Sequence, residues 1–338
     1  MQWMDIFVLL CRKMKQSERW QSMKKITILT EPVQFYYKTR IAVKKMMVRG
    51  YKYGGHVAVT RSLIEGLDKI GYTDYNYRPI RESDIAEHVH VLAGVETLRY
   101  AIGLKERGCI KKLTAGPNVV IFSTDENSII SNQCIDLYLQ PSQWTADFHI
   151  ELNAAMENRC VAWPAGVDIN KLKYKQNVKK RKQVLIYHKE ESNQFCFRVD
   201  YLVRRHGYST VIIKYGSYKF DEYIKILQES AFMVVIAGAE SQGLYLAEAW
   251  AMDVPTICYE SNYYKWQYGD CIKERIGNVS SCPYLTKDTG VTFKELGELD
   301  DIISNIDMVL EDVHPREWVV NNMTDEVCAR RFLDTVME

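Results

Sequence analysis

The sequence predicts an α/β protein made of two Rossmann-like parallel-sheet domains, and three observations carry that expectation. Short runs rich in Val, Ile and Leu recur along the chain, helix-length segments separate them, and the alternation breaks once near the middle. Apolar runs with little alternation are how strands buried on both faces read, and a strand–helix–strand order calls for crossover helices. A length of 338 residues suits two domains at roughly 150 residues each.

The first fold-like text is Met23-Lys24-Lys25-Ile26-Thr27-Ile28-Leu29-Thr30, so residues 1–22 are expected to be an N-terminal extension. Strands are expected at 26–30, 88–92, 119–122 and 135–139, then at 184–187, 210–214, 232–236 and 256–259. Helices are expected at 57–70, 96–107, 145–157, 195–205, 221–228 and 244–252. Within the first of these, Val59, Leu63, Ile64, Leu67 and Ile70 fall on one face. The alternation stops at Cys160-Val-Ala-Trp163-Pro164-Ala-Gly166-Val-Asp168 and a basic stretch at 171–182 follows. This places a first domain at 23–160 and a second at 161–314. Trp318, Val319, Val327, Phe332, Leu333 and Val336 then mark closing helices at 315–338. In such sheets ligands sit outside the carboxyl ends of the strands, and two such domains are expected to face each other across a cleft.

Composition excludes several classes. Apolar residues at 47% and charged residues at 26% exclude wholesale disorder. Lys+Arg at 44 against Asp+Glu at 43 leaves a net charge of +1, so a field for gripping nucleic acid is absent and no nucleic-acid partner is expected. Nine cysteines are scattered with no C-x-x-C pair, which argues against a disulfide scaffold or zinc site and suits a reducing cytoplasm. No apolar run reaches the ~18–20 residues of a membrane span. Residues 35–52 interleave Lys38, Arg40, Lys44, Lys45, Arg49 and Lys52 with Tyr36, Tyr37 and Tyr51. They are a candidate contact for an anionic or lipid-linked ligand or a membrane surface, against the simpler reading of a basic solvated helix.

The informative text is Ala239-Glu240-Ser241-Gln242-Gly243-Leu244-Tyr245-Leu246-Ala247-Glu248-Ala249-Trp250, running on to Pro255. It follows a strand and enters a helix. Gly243 lets the backbone approach a ligand, and the first-turn N–H groups offer a phosphate site. A carboxylate at a sugar's hydroxyls, amides at a diphosphate and a second carboxylate at a ribose together describe a nucleotide-sugar site. This text resembles the E-x7-E signature of retaining, family-4-type glycosyltransferases of GT-B fold. Pro164-Ala165-Gly166-Val167-Asp168 resembles that family's P-x-G-V-D segment. Gly54-Gly55-His56 is similar to its glycine-rich first-domain loop, and Pro141-Ser142-Gln143-Trp144-Thr145 to its P-S-x-W/x-T element.

The resemblance implies transfer of a sugar from a nucleoside diphosphate sugar to a hydroxyl of a glycan, lipid-linked or protein-linked acceptor. It implies retention of configuration, no cofactor and no metal. It assigns catalysis to Glu240, with His90 and Asp125 as first-domain partners. Donor binding falls to Glu248, Ser241, Gln242, Gly243, Leu244, Lys189, Lys214, Tyr215, Gly216, Gly54 and Gly55. The family's arginine after the first strand of the second domain is missing: that strand is followed by His188-Lys189-Glu190-Glu191. Arg181 and Lys214 are the candidate replacements. The other functions left open are a non-catalytic nucleotide-binding relative and a DNA-acting protein of GT-B shape.

Overall fold

The computed structural model describes residues 25–33, 55–172, 174, 182–189, 191–268 and 271–338. The expected extension at 1–22, the basic stretch at 35–52, Gly54 and Arg181 lie outside the described residues. The chain forms two compact units. One takes the described residues up to Gln140 together with Ala146–Trp163 and Ala329–Glu338, and the other takes Pro141–Thr145 and Pro164–Cys328.

The first unit holds β1 (Ile26–Leu29), α1 (Gly55–Lys69), β2 (Tyr75–Tyr77), β3 (His88–Ala93), α2 (Val95–Glu106), β4 (Lys112–Asn118), β5 (Leu137–Gln140) and β6 (Cys160–Ala162). All six strands are parallel, in the order β2-β1-β3-β4-β5-β6. Helix α1 buries Ala58, Val59, Ser62, Leu63, Gly66 and Leu67; of the expected stripe Val59, Leu63 and Leu67 are buried, Ile64 is half-buried, and Ile70 is half-buried just past the helix. One strand is displaced from its expected place, from 119–122 to Lys112–Asn118. Gly116-Pro117 reads as a strand breaker, yet the ladder to β5 uses only Thr114 and Ala115, and the ladder to β3 skips the dipeptide through a register shift before resuming at Asn118. Strand β6 was hidden in the expected linker because three residues are too few to show a period.

The chain passes between the units after Gln140, within α3 (Gln143–Leu152), after Trp163 and again within the last helix. The second unit contains β7 (Gln183–Lys189), α4 (Asn193–Arg205), β8 (Ser209–Lys214), α5 (Phe220–Glu229), β9 (Phe232–Ala237), α6 (Leu244–Ala251) and β10 (Thr256–Tyr259). An antiparallel hairpin, β11 (Tyr263–Tyr268) and β12 (Cys271–Ile276), precedes β13 (Gly290–Phe293), α7 (Leu296–Ser304), α8 (Pro315–Asn322) and α9 (Asp325–Met337). The five-stranded sheet is parallel, in the order β13-β10-β9-β7-β8. Its central strands are covered on both faces. Leu185, Tyr187, Met233 and Val235 pack with Leu246 and Trp250, whereas Val184, Ile186, Val234 and Ile236 pack with Val199 and Val203. Period-2 alternation between two apolar faces is what erased the polar positions from these strands.

The Pro164–Asp168 motif has a structural task in this unit. The Val167 N–H donates to Met323 O at 2.9 Å, and Val167 pairs with Thr324 in a parallel bridge. A Cβ on Gly166 would lie 2.5 Å from the backbone of Thr324 and Asp325, so only glycine lets the two segments meet. Asp168 then accepts from the N–H groups of Asn170 and Lys171, at 3.0 and 3.3 Å. Among the described residues no helix is long and apolar enough to cross a membrane.

Both sheets share one topological feature. The second strand is laid on one side of the first and the third strand on the other, so the direction of winding reverses between β1 and β3 and again between β7 and β9. At such a switch point the loops leaving the two neighbouring strands diverge and open a crevice at the carboxyl edge.

His90, expected at an acceptor, is instead part of the first unit's core. It has no exposed surface. Its Nδ1 lies 2.9 Å from Thr114 Oγ1 and its Nε2 lies 3.0 Å from Gly116 O, while Phe332 packs edge-on against the ring. A ring sealed on both nitrogens has nothing left to offer a substrate, which corrects the catalytic expectation. Burial lowers its pKa to about 3, and burial with the nearby Lys112 lowers that of His88 to about 4. Both values lie below the ~6.5 of an unfolded histidine, so the unfolded chain binds more protons in between. The stability tied to these neutral rings is therefore complete above pH ~6.5 and is lost as pH falls toward 4. Urea unfolding should give a level free energy between pH 8 and 7 and a steady decline from 6.5 to 4. Imidazole NMR signals of His88 and His90 should stay in the neutral position at pH 5.5; titration near 6.5 would contradict the burial account.

Candidate functional site

The carboxyl edge of the second sheet gathers most of the residues the sequence singles out. Strand β7 ends in His188 and Lys189, and the chain leaving β9 reaches Glu240 three residues later. These two strands flank the switch point, and across it Lys189 Nζ meets Glu240 Oε1 at 2.8 Å. Both side chains are largely withdrawn from water, at 15% and 9% exposure. Lys189 also lies over the Tyr215 ring, 4.8 Å from its centroid, an arrangement that favours a cation further.

The backbone of Glu240 is held on both sides. Its N–H donates to Ser280 O at 2.8 Å, and its carbonyl accepts from Trp144 Nε1 at 2.8 Å. Trp144 is itself packed edge-on against Tyr264. It comes from the Pro141–Thr145 segment, where Thr145 Oγ1 donates to Ser142 O and accepts from the Ser142 N–H. That local turn is what the Pro-Ser-Gln-Trp-Thr text encodes, and Tyr284 fixes it by donating to Pro141 O at 2.6 Å.

Gly243 adopts φ +74°, ψ +59° as the residue that opens helix α6, a left-handed conformation that glycine takes without a Cβ penalty. Leu244 begins the helix and packs at the core margin. Ser241 is exposed in the loop. Gln242, expected at the donor, is instead a tie to the interdomain segment. Its Nε2 donates to Ala165 O at 2.6 Å and its Oε1 accepts from the Ala165 N–H at 3.0 Å, which uses both ends of the amide. Glu248 is half-buried one turn along the helix. Lys214, Tyr215 and Gly216 form the turn after β8, closed by Ser217 N–H to Lys214 O with Gly216 at φ +77°. Lys214 is exposed there.

Below this edge lies a cluster of tyrosines, and of its members only Tyr218, in the turn after β8, is a position the resemblance marks, as a contact for the nucleobase. Tyr187, two residues before Lys189, stacks on Tyr245 of the first turn of α6, with centroids 4.0 Å apart and an 11° interplanar angle. Tyr223 donates to Tyr245 O at 2.6 Å, and the Tyr187 and Tyr218 hydroxyls lie 3.1 Å apart. Burial, with Glu240 adding to it, pushes the Tyr187 and Tyr245 hydroxyls well up. Tyr218 is raised to about 12, chiefly by burial, with Glu248 and Glu240 contributing. Four neutral rings thus bolt the helix mouth to the end of β7 and set the span across which Lys189 and Glu240 meet. Tyrosines at strand ends give no period and no motif, so pattern reading had nothing to catch.

The remaining expected residues belong to the first unit. Gly55 opens α1 and is exposed. Asp125 is half-buried and accepts from the Phe122 N–H at 2.9 Å while its own N–H donates to Phe122 O, the geometry of a locked turn.

No protein-family model and no curated protein matches this chain. Its structure is similar to that of HepE from Anabaena in complex with UDP-glucose, at 9% identity, with a TM-score of 0.56 over 93% of this chain and 99% of that one. It is also similar to the apo form of the lipopolysaccharide outer core galactosyltransferase WaaB, at 10% identity, with a TM-score of 0.53 over 92% and 99% of the two chains. HepE in complex with UDP and glucose gives 10% identity and a TM-score of 0.54 over 93% and 99%. Two parallel-sheet α/β units and neighbours of this kind make the fold GT-B.

Proposed function

We propose that this protein is a retaining, metal-independent glycosyltransferase of the family-4 type. It moves a hexosyl or pentosyl group from a nucleoside diphosphate sugar to a hydroxyl of a glycan, lipid-linked or protein-linked acceptor in the cytoplasm. The observation that carries the reading is the Lys189–Glu240 pair lodged at the switch point beside a glycine-opened helix. The neighbour crystallised with UDP-glucose supports the donor class.

Each residue then has a task. The diphosphate is a better partner for Lys189 than one carboxylate is, because it carries more charge and offers more acceptor oxygens. On donor binding Lys189 turns from Glu240 to the diphosphate and meets the charge that grows on it as the glycosidic bond breaks. The amides at the start of α6 face the same oxygens. Glu240, released, accepts hydrogen bonds from the hydroxyls of the transferred sugar, and Glu248 does so from the ribose. With Lys189 and helix amides opposing the leaving charge, the reaction needs no metal ion.

Glu240→Gln keeps an acceptor for Lys189 but loses the charge, and Glu248→Gln weakens the ribose contact. Both should fold with a near-native melting temperature and lose activity, Glu240→Gln by about 10²–10³-fold, the scale of one electrostatic group in an active site. Full turnover by either variant would remove that residue from the mechanism. Transfer should persist in excess EDTA, and NMR of the product should show the donor's anomeric configuration; loss of activity on chelation, reversed by Mg²⁺, would refute metal independence. Thermal shift against nucleoside diphosphates and their sugars should pick out one donor, since ligand raises stability with occupancy.

A further inference from the structure

We propose that the Tyr218 hydroxyl binds the ribose of the donor beside Glu248, as the second polar contact to that sugar. The inference rests on the donor class proposed above and goes beyond it by assigning a residue and the group it recognises.

Glu248 accepts hydrogen bonds and donates none. Held by Glu248 alone, a ribose diol gives up both protons and leaves its own oxygens without a donor. A complete site needs a neutral or cationic donor on the same side. Among the described residues, Lys214 is exposed at the strand end, and Lys189 is taken by Glu240 in the free protein and, on the proposed reading, by the diphosphate once the donor is bound.

Tyr218 is placed to supply that donor. It follows the Lys214–Ser217 turn, is half-buried, and packs against Tyr187 and Tyr223 at 6.0 and 5.4 Å between centroids. Tyr223 in turn bonds to Tyr245 O, and Glu248 lies three residues beyond Tyr245, on the same helix face. Tyr218 therefore stands against the stretch of α6 that carries Glu248, and the field of that carboxylate reaches its hydroxyl.

Tyr187 completes the arrangement. It is fully buried and stacked on Tyr245, so its hydroxyl is fixed in place 3.1 Å from that of Tyr218. If Tyr187 donates to the Tyr218 oxygen, the Tyr218 proton is left to point outward. Ordered in this way, Tyr187 O–H, Tyr218 O–H and a ribose oxygen form a chain in which each bond polarises the next. Tyr218 is then a recognition residue and Tyr187 a positioning residue behind it.

The test is isothermal titration of UDP, ADP and GDP into the full-length protein, followed by the 2′-deoxy and 3′-deoxy forms of the tightest binder. The wild type should prefer the ribo form. Tyr218→Phe keeps the rings in contact and should melt close to the wild type. It should bind the ribo form about 5–10-fold more weakly, the loss of one hydrogen bond, and bind one of the deoxy forms nearly as well as the wild type does. Its ribo-to-deoxy preference therefore shrinks by the same factor. Tyr187→Phe, which leaves the Tyr218 hydroxyl in place, should cost less than Tyr218→Phe. A Tyr218→Phe variant that binds like the wild type, or that weakens ribo and deoxy ligands equally, would overturn the assignment while leaving the donor class intact. Failure of the wild type to bind any of the three nucleotides would overturn the donor class and this inference with it.

Discussion

The second unit is organised around one ion pair. Lys189 and Glu240 come from strands that lie next to each other in space but are separated by fifty residues of chain. Most of their surface is denied to water. Two charges in that position are costly to desolvate and hold only while each satisfies the other. A pair of this kind is poised for exchange. On the proposed reading, a ligand with more negative charge than Glu240 takes Lys189, and the acid it releases then turns to the same ligand.

Much of the surrounding structure keeps that pair in register. Ser280 and Trp144 hold the Glu240 backbone from either side, and the Tyr187–Tyr245 stack fixes the helix mouth to the strand end. Gln242 ties the same loop to Ala165, and Val167 ties that segment onward to Thr324. The acidic motif is thus a mixture. Glu240 holds the ion pair, Gly243 opens the helix with a left-handed backbone, and Gln242 is a fastening. A motif read as one functional block resolves into residues with separate physical duties.

Fold class was legible because it rests on periodicity and length, which a single sequence displays. The strands at Gln183–Lys189 and Phe232–Ala237 showed themselves as apolar runs, since both their faces are covered. The strand at Lys112–Asn118 did not, because its Gly-Pro dipeptide argues locally against a sheet that is decided by neighbours. At the site, Glu240 and Lys189 were visible as charges at strand ends. Their contact was not, because it depends on which strands become neighbours. His90 misled for the converse reason: sequence marks a titratable ring without telling whether Thr114 and Gly116 have already taken its nitrogens. The tyrosine cluster shows the same gap, as four ordinary aromatic positions acquire meaning only when the sheet and two helices bring them together.

The exchange of partners by Lys189 is the central claim, and a crystal structure with a bound nucleoside diphosphate sugar tests it most directly. The account requires Lys189 Nζ within hydrogen-bonding reach (~3 Å) of a diphosphate oxygen, parted from Glu240, with the Glu240 carboxylate on a hydroxyl of the sugar. A donor bound elsewhere, with the Lys189–Glu240 contact intact, would contradict it.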